Sequence, residues 1–164
     1  MKNMDRKEAG RLAEKFAPSV YRLAYARTGN RAEAEDVMQE TFLRLLSAGP
    51  ALRDDEHAKA WLLRVAAQRA TDLFRRTRRR KEVPLSAAEG IWDGSEPEMG
   101  DALREVLELP ANYRIPIHLF YYEGMSVAQI AAVAGCSEGA VKTRLSRGRA
   151  LLRQKLLEGD ESIV

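Results

Sequence analysis

The chain has 164 residues, with 27 Lys and Arg against 24 Asp and Glu, 45% hydrophobic residues and one cysteine. No apolar run approaches the roughly 18 residues that cross a bilayer, the charged start Met1–Glu8 lacks the apolar core of a secretory signal, and one cysteine excludes a disulfide framework or a Cys-rich zinc site. Charge is distributed unevenly along this cytosolic-looking, globular composition: 19 basic against 11 acidic residues over 1–81, 1 against 8 over 82–109, and 7 against 5 over 110–164, two basic ends suited to a polyanion around an acidic middle.

Helical periodicity governs both flanks, and strand-like alternation does not recur. In chain order, Leu12, Phe16, Val20 and Leu23 recur at spacings of four, four and three, which predicts one buried helical stripe. Pro18 is a point where that helix kinks or divides. After Thr28-Gly29, Asn30 stands as an N-cap with Glu33 three residues on. The helix that follows buries Ala34, Val37, Met38, Thr41, Phe42 and Leu45. Its other face carries Asp36, Gln39, Glu40 and Leu43 at i, i+3, i+4 and i+7. A leucine left outward among carboxylates suits a partner-binding surface; a solvated face fits the same spacing.

A Gly49-Pro50 break and the polar loop Arg53-Asp54-Asp55-Glu56-His57 precede a long helix with Leu62, Val65, Ala66, Ala70 and Leu73 inward. A second stripe, Trp61, Arg64, Gln68, Thr71 and Arg75, combines one aromatic with polar groups that can stack on bases and bond to them. The helix closes on Arg75-Arg76-Thr77-Arg78-Arg79-Arg80-Lys81, six cations in seven residues. A polyanion relieves such density by releasing counterions, although a basic tail without a specific partner has the same composition. Residues 82–100 hold two Pro, three Gly and no basic residue, an acidic linker whose Leu85, Ile91 and Trp92 can dock on a neighbouring surface.

A second small domain begins near Asp101, with Leu103, Val106 and Leu107 as a core stripe before Leu109-Pro110. Ile117, Leu119, Phe120 and Tyr121 lie on a helix that runs to Glu123-Gly124. Ser126 then caps a short helix with Val127, Ile130, Ala131 and Ala134 inward. Gly135-Cys136-Ser137 makes a tight turn with Cys136 as a small buried residue, and Ser137 caps a second helix with Val141, Leu145, Gly148 and Leu152 inward. Helix, glycine-bearing turn, helix is the helix-turn-helix pattern. It leaves Lys142, Thr143, Ser146, Arg147 and Arg149 outward, cations for guanine edges and phosphates and hydroxyls for either.

The expected fold class is therefore all-α: two small helical domains, 1–81 and 101–164, joined by the acidic linker, the second containing the helix-turn-helix. His57 and His118 have no acidic or Cys cluster at ligand spacing, so no metal is expected. Without a Gly-rich phosphate loop or nucleophile elbow, neither a cofactor nor enzyme activity is expected.

Four stretches together resemble the extracytoplasmic-function sigma factors of bacterial RNA polymerase, over about residues 9–157. Asp36-Val37-Met38-Gln39-Glu40-Thr41-Phe42 resembles the family's Asp-x-x-Gln-Glu-x-Phe helix. Ala60-Trp61-Leu62-Leu63-Arg64-Val65-Ala66 and Asp72-Leu73-Phe74-Arg75-Arg76 resemble its promoter-melting helix. Leu109-Pro110-Ala111-Asn112-Tyr113-Arg114 resembles the start of its second domain, and Gly139–Arg149 its recognition helix.

The resemblance implies that Asp36, Gln39, Glu40 and Leu43 grip the clamp coiled coil of the polymerase's largest subunit. It implies that the loop Arg53–Lys59, with Trp61, Arg64, Gln68, Asp72, Arg75 and Arg76, opens the minus-ten promoter element and holds a flipped base. Lys142, Thr143, Arg144, Ser146 and Arg147 would read the minus-thirty-five element. Core RNA polymerase, promoter DNA and an anti-sigma factor are the implied partners, with no membrane insertion. Two positions depart from the family: Gln68 stands where Asn is usual, and Pro116 follows Ile115 near a helix start, where a missing donor costs little. The function expected is a cytoplasmic promoter-specificity subunit of RNA polymerase. The alternative, a stand-alone helix-turn-helix regulator, gives the acidic face at Asp36–Leu43 no task.

Overall fold

Helix α1 (Arg6–Thr28) begins where the Asp5 carboxylate accepts the Lys7 N–H, and it ends at Gly29. That glycine is left-handed (φ 66°), and its N–H returns to the Tyr25 carbonyl at 2.7 Å. The computed structural model describes residues 5–81 and 100–162, and every element in them is a helix. The expectations for Leu85, Ile91 and Trp92, and for the Leu103 side chain, lie outside the described residues. Pro18 does not divide α1. Its ring is exposed, and the carbonyl it deprives of a partner belongs to Glu14, also exposed, where solvent can satisfy it.

Asn30 caps α2 (Arg31–Ala48) as the spacing predicts, its side chain accepting the Glu33 N–H at 3.0 Å. Asp54 does the same for α3 (Asp55–Lys81), accepting the His57 N–H at 2.8 Å. The three helices pack on one another around Leu12, Val20, Leu23, Val37, Leu45 and Leu62. Arg11 and Lys15 of α1 pin the first turn of α3 through Asp55, at 2.9 and 2.7 Å. Hydrogen bonds from Arg11 and then Lys15 hold the Asp55 carboxyl well below the usual carboxylate range.

The second group comprises α4 (Gly100–Leu107), α5 (Ala111–Tyr121), α6 (Val127–Ala134) and α7 (Glu138–Ser162). Ser126 and Gln129 form a reciprocal capping box at the start of α6. Gly135 closes α6 in the left-handed region (φ 69°), and the Ser137 hydroxyl accepts the Ala140 N–H to start α7. Gly148 is where α7 meets α5: a Cβ built there would lie 2.7 Å from Ile117, so only a residue without a side chain allows this approach. Val133, absent from the expected stripe, is buried beside Ile130 and Ala131.

Pro116 requires a correction. It is the sixth residue of α5 and buried, not at the helix start, and the donor it lacks would have served the Asn112 carbonyl. The two groups touch: α1 packs on α4 and α5, α3 packs on α6, and the buried apolar residues of both belong to one cluster. Among the described residues no helix is long and apolar enough to cross a membrane.

Candidate polymerase and nucleic-acid interfaces

On α2 the inward residues Ala34, Val37, Thr41 and Leu45 are buried, which turns Asp36, Gln39 and Leu43 out to solvent, with Glu40 half-buried beside them. Leu43 is 63% exposed, the highest value for any large hydrophobic among the described residues. The two carboxylates are not simply solvated. Arg69, from α3, pairs with Asp36 at 3.5 Å and with Glu40 more closely. A residue that sequence reading passed over thus holds the acidic face in shape, as an organised rim around one outward leucine.

On α3, Arg64, Gln68, Asp72, Arg75 and Arg76 are all exposed, at spacings that keep them along one side of the helix. Trp61 is set apart from them, half-buried against the core. The basic end of α3 is crowded. Phe74 is buried, with the guanidinium of Arg27 over its ring at 4.5 Å, that of Arg78 at 5.6 Å and that of Arg114 at 5.9 Å. Arg27 is only 6% exposed. Burial first, then repulsion from Arg114, Arg75 and Arg78, pull its pKa down to about 10, which leaves it charged at neutral pH.

On α7, the buried Val141, Leu145 and Gly148 orient Lys142, Thr143, Ser146 and Arg147 outward on one exposed face. The Thr143 hydroxyl donates to the Gly139 carbonyl at 3.0 Å and keeps an acceptor position free. Arg144 leaves this set: half-buried, it reaches back to the helix-turn-helix turn, with its Nη1 3.4 Å from the Cys136 sulfur. Arg149, expected outward, is exposed but lies over Phe120 and Tyr121 at 5.1 and 5.7 Å.

Residues from both groups share one cleft of about 600 Å³. Arg27, Gln68, Asp72 and Arg75 line one wall, and Asn112, Pro116, Cys136 and Arg144 line the other. Contacts that the sequence did not announce also cross between the two groups. Arg114 Nη1 donates to the Arg27 carbonyl at 3.2 Å while its other nitrogens bond Leu109 and Leu107. The Glu123 carboxylate meets Lys59 at 2.9 Å and Arg22 at 3.4 Å. The Arg22 guanidinium also lies 5.0 Å from the Tyr122 ring. Among the described residues no group of three His, Cys, Asp or Glu is placed to hold a metal.

Two family models match the chain: Sigma-70 region 2 over residues 12–80 and Sigma-70 region 4 over residues 100–152. RNA polymerase sigma factor SigV of Bacillus subtilis is 32% identical over 144 residues, covering 87% of each chain. ECF RNA polymerase sigma factor SigL of Mycobacterium tuberculosis is 37% identical over 155 residues, covering 90% of this chain and 88% of its own. Among solved structures, CnrH in complex with the cytosolic domain of CnrY is similar, with a TM-score of 0.65 and 26% identity over 95% of this chain and 91% of that one. The chain belongs to the extracytoplasmic-function sigma factors of RNA polymerase, the subunits that direct promoter-specific transcription.

Proposed function

We propose that the two helical groups divide the work of a sigma subunit at residues 1–81 and 101–164, with the acidic segment 82–100 between them. Asp36, Gln39, Glu40 and Leu43 bind the clamp coiled coil of the largest subunit of core RNA polymerase. Leu43 supplies the apolar anchor and the carboxylates supply register, the arrangement of an interface hot spot inside a polar rim. The observation that carries this reading is the exposed leucine inside an acidic rim braced by Arg69.

Arg64, Gln68, Asp72, Arg75 and Arg76 form the surface that receives the minus-ten strand, with Trp61 at its edge. Unpairing costs roughly 1.4 kcal/mol per base-pair step, so an opened strand needs cationic and hydrogen-bonding groups to offset it. Lys142, Thr143, Ser146 and Arg147 read the minus-thirty-five element in the major groove. Arg144, turned toward Cys136, contributes from the flank. The chain acts in the cytoplasm, binds promoter DNA only as part of the polymerase, performs no catalysis of its own, and is held in check by an anti-sigma factor. That last partner rests on likeness to a solved complex of the sigma factor RpoE with the anti-sigma factor NepR from Bartonella quintana, at 23% identity and a TM-score of 0.65.

The test is transcription in vitro from a library of promoter fragments by core RNA polymerase, with and without the protein. Starts that occur only when it is added, with two shared upstream elements, are the expected result. No protein-dependent start, together with tight duplex binding by the protein alone, would replace this reading with that of a free-standing regulator.

A further inference from the structure

The cleft of about 600 Å³ lies in the range of small-ligand sites, about 300–1,000 Å³, and its charge is one-sided. Among the described residues it is lined by Arg27 of α1, Arg44 of α2, Arg69 and Arg75 of α3, and Arg144 of α7, five guanidiniums from four helices. The carboxylates on its walls are Glu40 and Asp72. Arg69 already pairs with Glu40, which leaves Asp72 against the other four cations. Only Arg75 belongs to the basic run that closes α3, so it is the fold that collects the rest.

Arg27 marks this surplus as built into the cleft. It is 6% exposed, and its Nη1 is buried with no hydrogen-bond partner among the described residues. The charges that act on it, Arg114, Arg75 and Arg78, are all cations. The Phe74 ring beneath it offers only a quadrupole, shared with Arg78 and Arg114. A buried cation without a full counter-charge is costly, and an anion in the cleft relieves that cost for several arginines at once. Guanidinium forks match phosphate oxygens two at a time. One orthophosphate has too little charge for four of them, whereas a chain of phosphates brings charge and paired oxygens to each.

We propose that the cleft binds a small oligophosphate, either free triphosphate or the tail of a nucleoside triphosphate, gripped by Arg27, Arg44 and Arg75 from one group and Arg144 from the other. Gln68 and Asn112 add amide donors from the same two walls. Arg44 and Arg144 stand outside the set assigned to the minus-ten strand, and the binding itself does not rest on the sigma reading. Under that reading the ligand covers Gln68, Asp72 and Arg75 and competes with the opened strand.

The experiment is isothermal titration calorimetry on the full chain in magnesium-free buffer at about 0.15 M salt, where exposed charges more than about 8 Å apart are largely screened. Triphosphate, ATP and AMP are titrated in turn. Triphosphate and ATP should both bind saturably, and AMP, with its single phosphate, about tenfold more weakly or worse. Equal affinity for the first two makes the free anion sufficient; tighter ATP assigns the nucleotide. Arg44→Gln and Arg144→Gln should each weaken triphosphate about tenfold or more, with helicity by circular dichroism unchanged. Arg147→Gln, exposed on α7 outside the cleft, should leave binding as it is. Should Arg144→Gln lose helicity, the exposed Arg44 decides by the same criterion. No binding of triphosphate, AMP as tight as ATP, or equal weakening by all three variants, the mark of diffuse attraction to a basic surface, overturns the site. A single-stranded deoxyoligonucleotide that binds through Arg44 and Arg144 while triphosphate does not would give the cleft to DNA instead. The transcription test is independent: triphosphate binding without protein-dependent starts leaves the site standing and removes the sigma reading, and the reverse removes the site alone.

Discussion

The helix-turn-helix group and the three-helix group position their candidate functional residues in contrasting ways. In α6 and α7, local signals fix almost everything: Ser126 with Gln129, left-handed Gly135 and Ser137 set where each helix starts and stops. The outward set Lys142, Thr143, Ser146 and Arg147 then follows from the helical repeat. In α1–α3 the faces depend on contacts between distant residues: Arg69 shapes the acidic rim of α2, and Arg11 and Lys15 of α1 seat the first turn of α3. A surface built from local signals tolerates change elsewhere in the chain, whereas one braced across helices inherits the fate of its braces.

The largest expected effect tests how far the second group depends on burial. His118 is 1% exposed, with neither ring nitrogen bonded among the described residues. Burial pushes its pKa down to about 4, with Glu123 pulling it up and Arg22 pushing it down. The unfolded chain takes up the proton near 6.5 and the folded chain only near 4, so this stability is complete above 6.5 and is lost as pH falls through that window. Urea titrations should show up to about 3 kcal/mol of loss, and His118→Leu should flatten the profile.

Leu43→Asp probes the braced surface. Binding to core polymerase should weaken by about 2 kcal/mol or more, with the urea midpoint nearly unchanged because the residue is exposed. Equal binding would remove Leu43 from the interface. On the locally built surface, Arg147→Ala should cost about 1–3 kcal/mol at one upstream base pair, measured with single-position promoter variants. A loss spread evenly over all sequences would make it a phosphate contact.

Two glycines of α7 sharpen the contrast within one helix. Gly148→Ala should destabilise by about 1–2 kcal/mol, since the clash with Ile117 exceeds the gain in helix propensity. Gly139→Ala meets only the Ser137 hydroxyl at 3.9 Å and should be neutral or slightly stabilising. Ser126→Ala should cost about 1 kcal/mol from the lost cap, read by the same denaturation series.

Much of the site was legible because its signals are short-range. The stripe Leu12, Phe16, Val20 and Leu23 is buried, Asn30 caps α2, and the acidic face with Leu43 points outward, each as periodicity predicts. Where side chains lie differently from what spacing alone suggests, the causes are physical. Pro18 sits within α1 at an exposed position, where solvent can satisfy the Glu14 carbonyl that it deprives of a partner. Trp61 matched the repeat of the polar stripe, yet its large apolar surface draws it against the core. Arg144 is spaced like a base reader, but its length lets it fold back to Cys136.

The all-α class, the helix-turn-helix and most exposed faces were determined by the sequence alone, because helix periodicity and capping act over three or four residues. The tertiary structure alone decided what Glu123, Arg114 and Arg69 do. Glu123 and Lys59 are 64 positions apart in the chain and 2.9 Å apart in space, and Arg114 meets Arg27 across 87 residues. Contacts of charged side chains over such separations leave no period in the sequence. They arise only when the folded helices bring the groups out of water together and each must find its partner there.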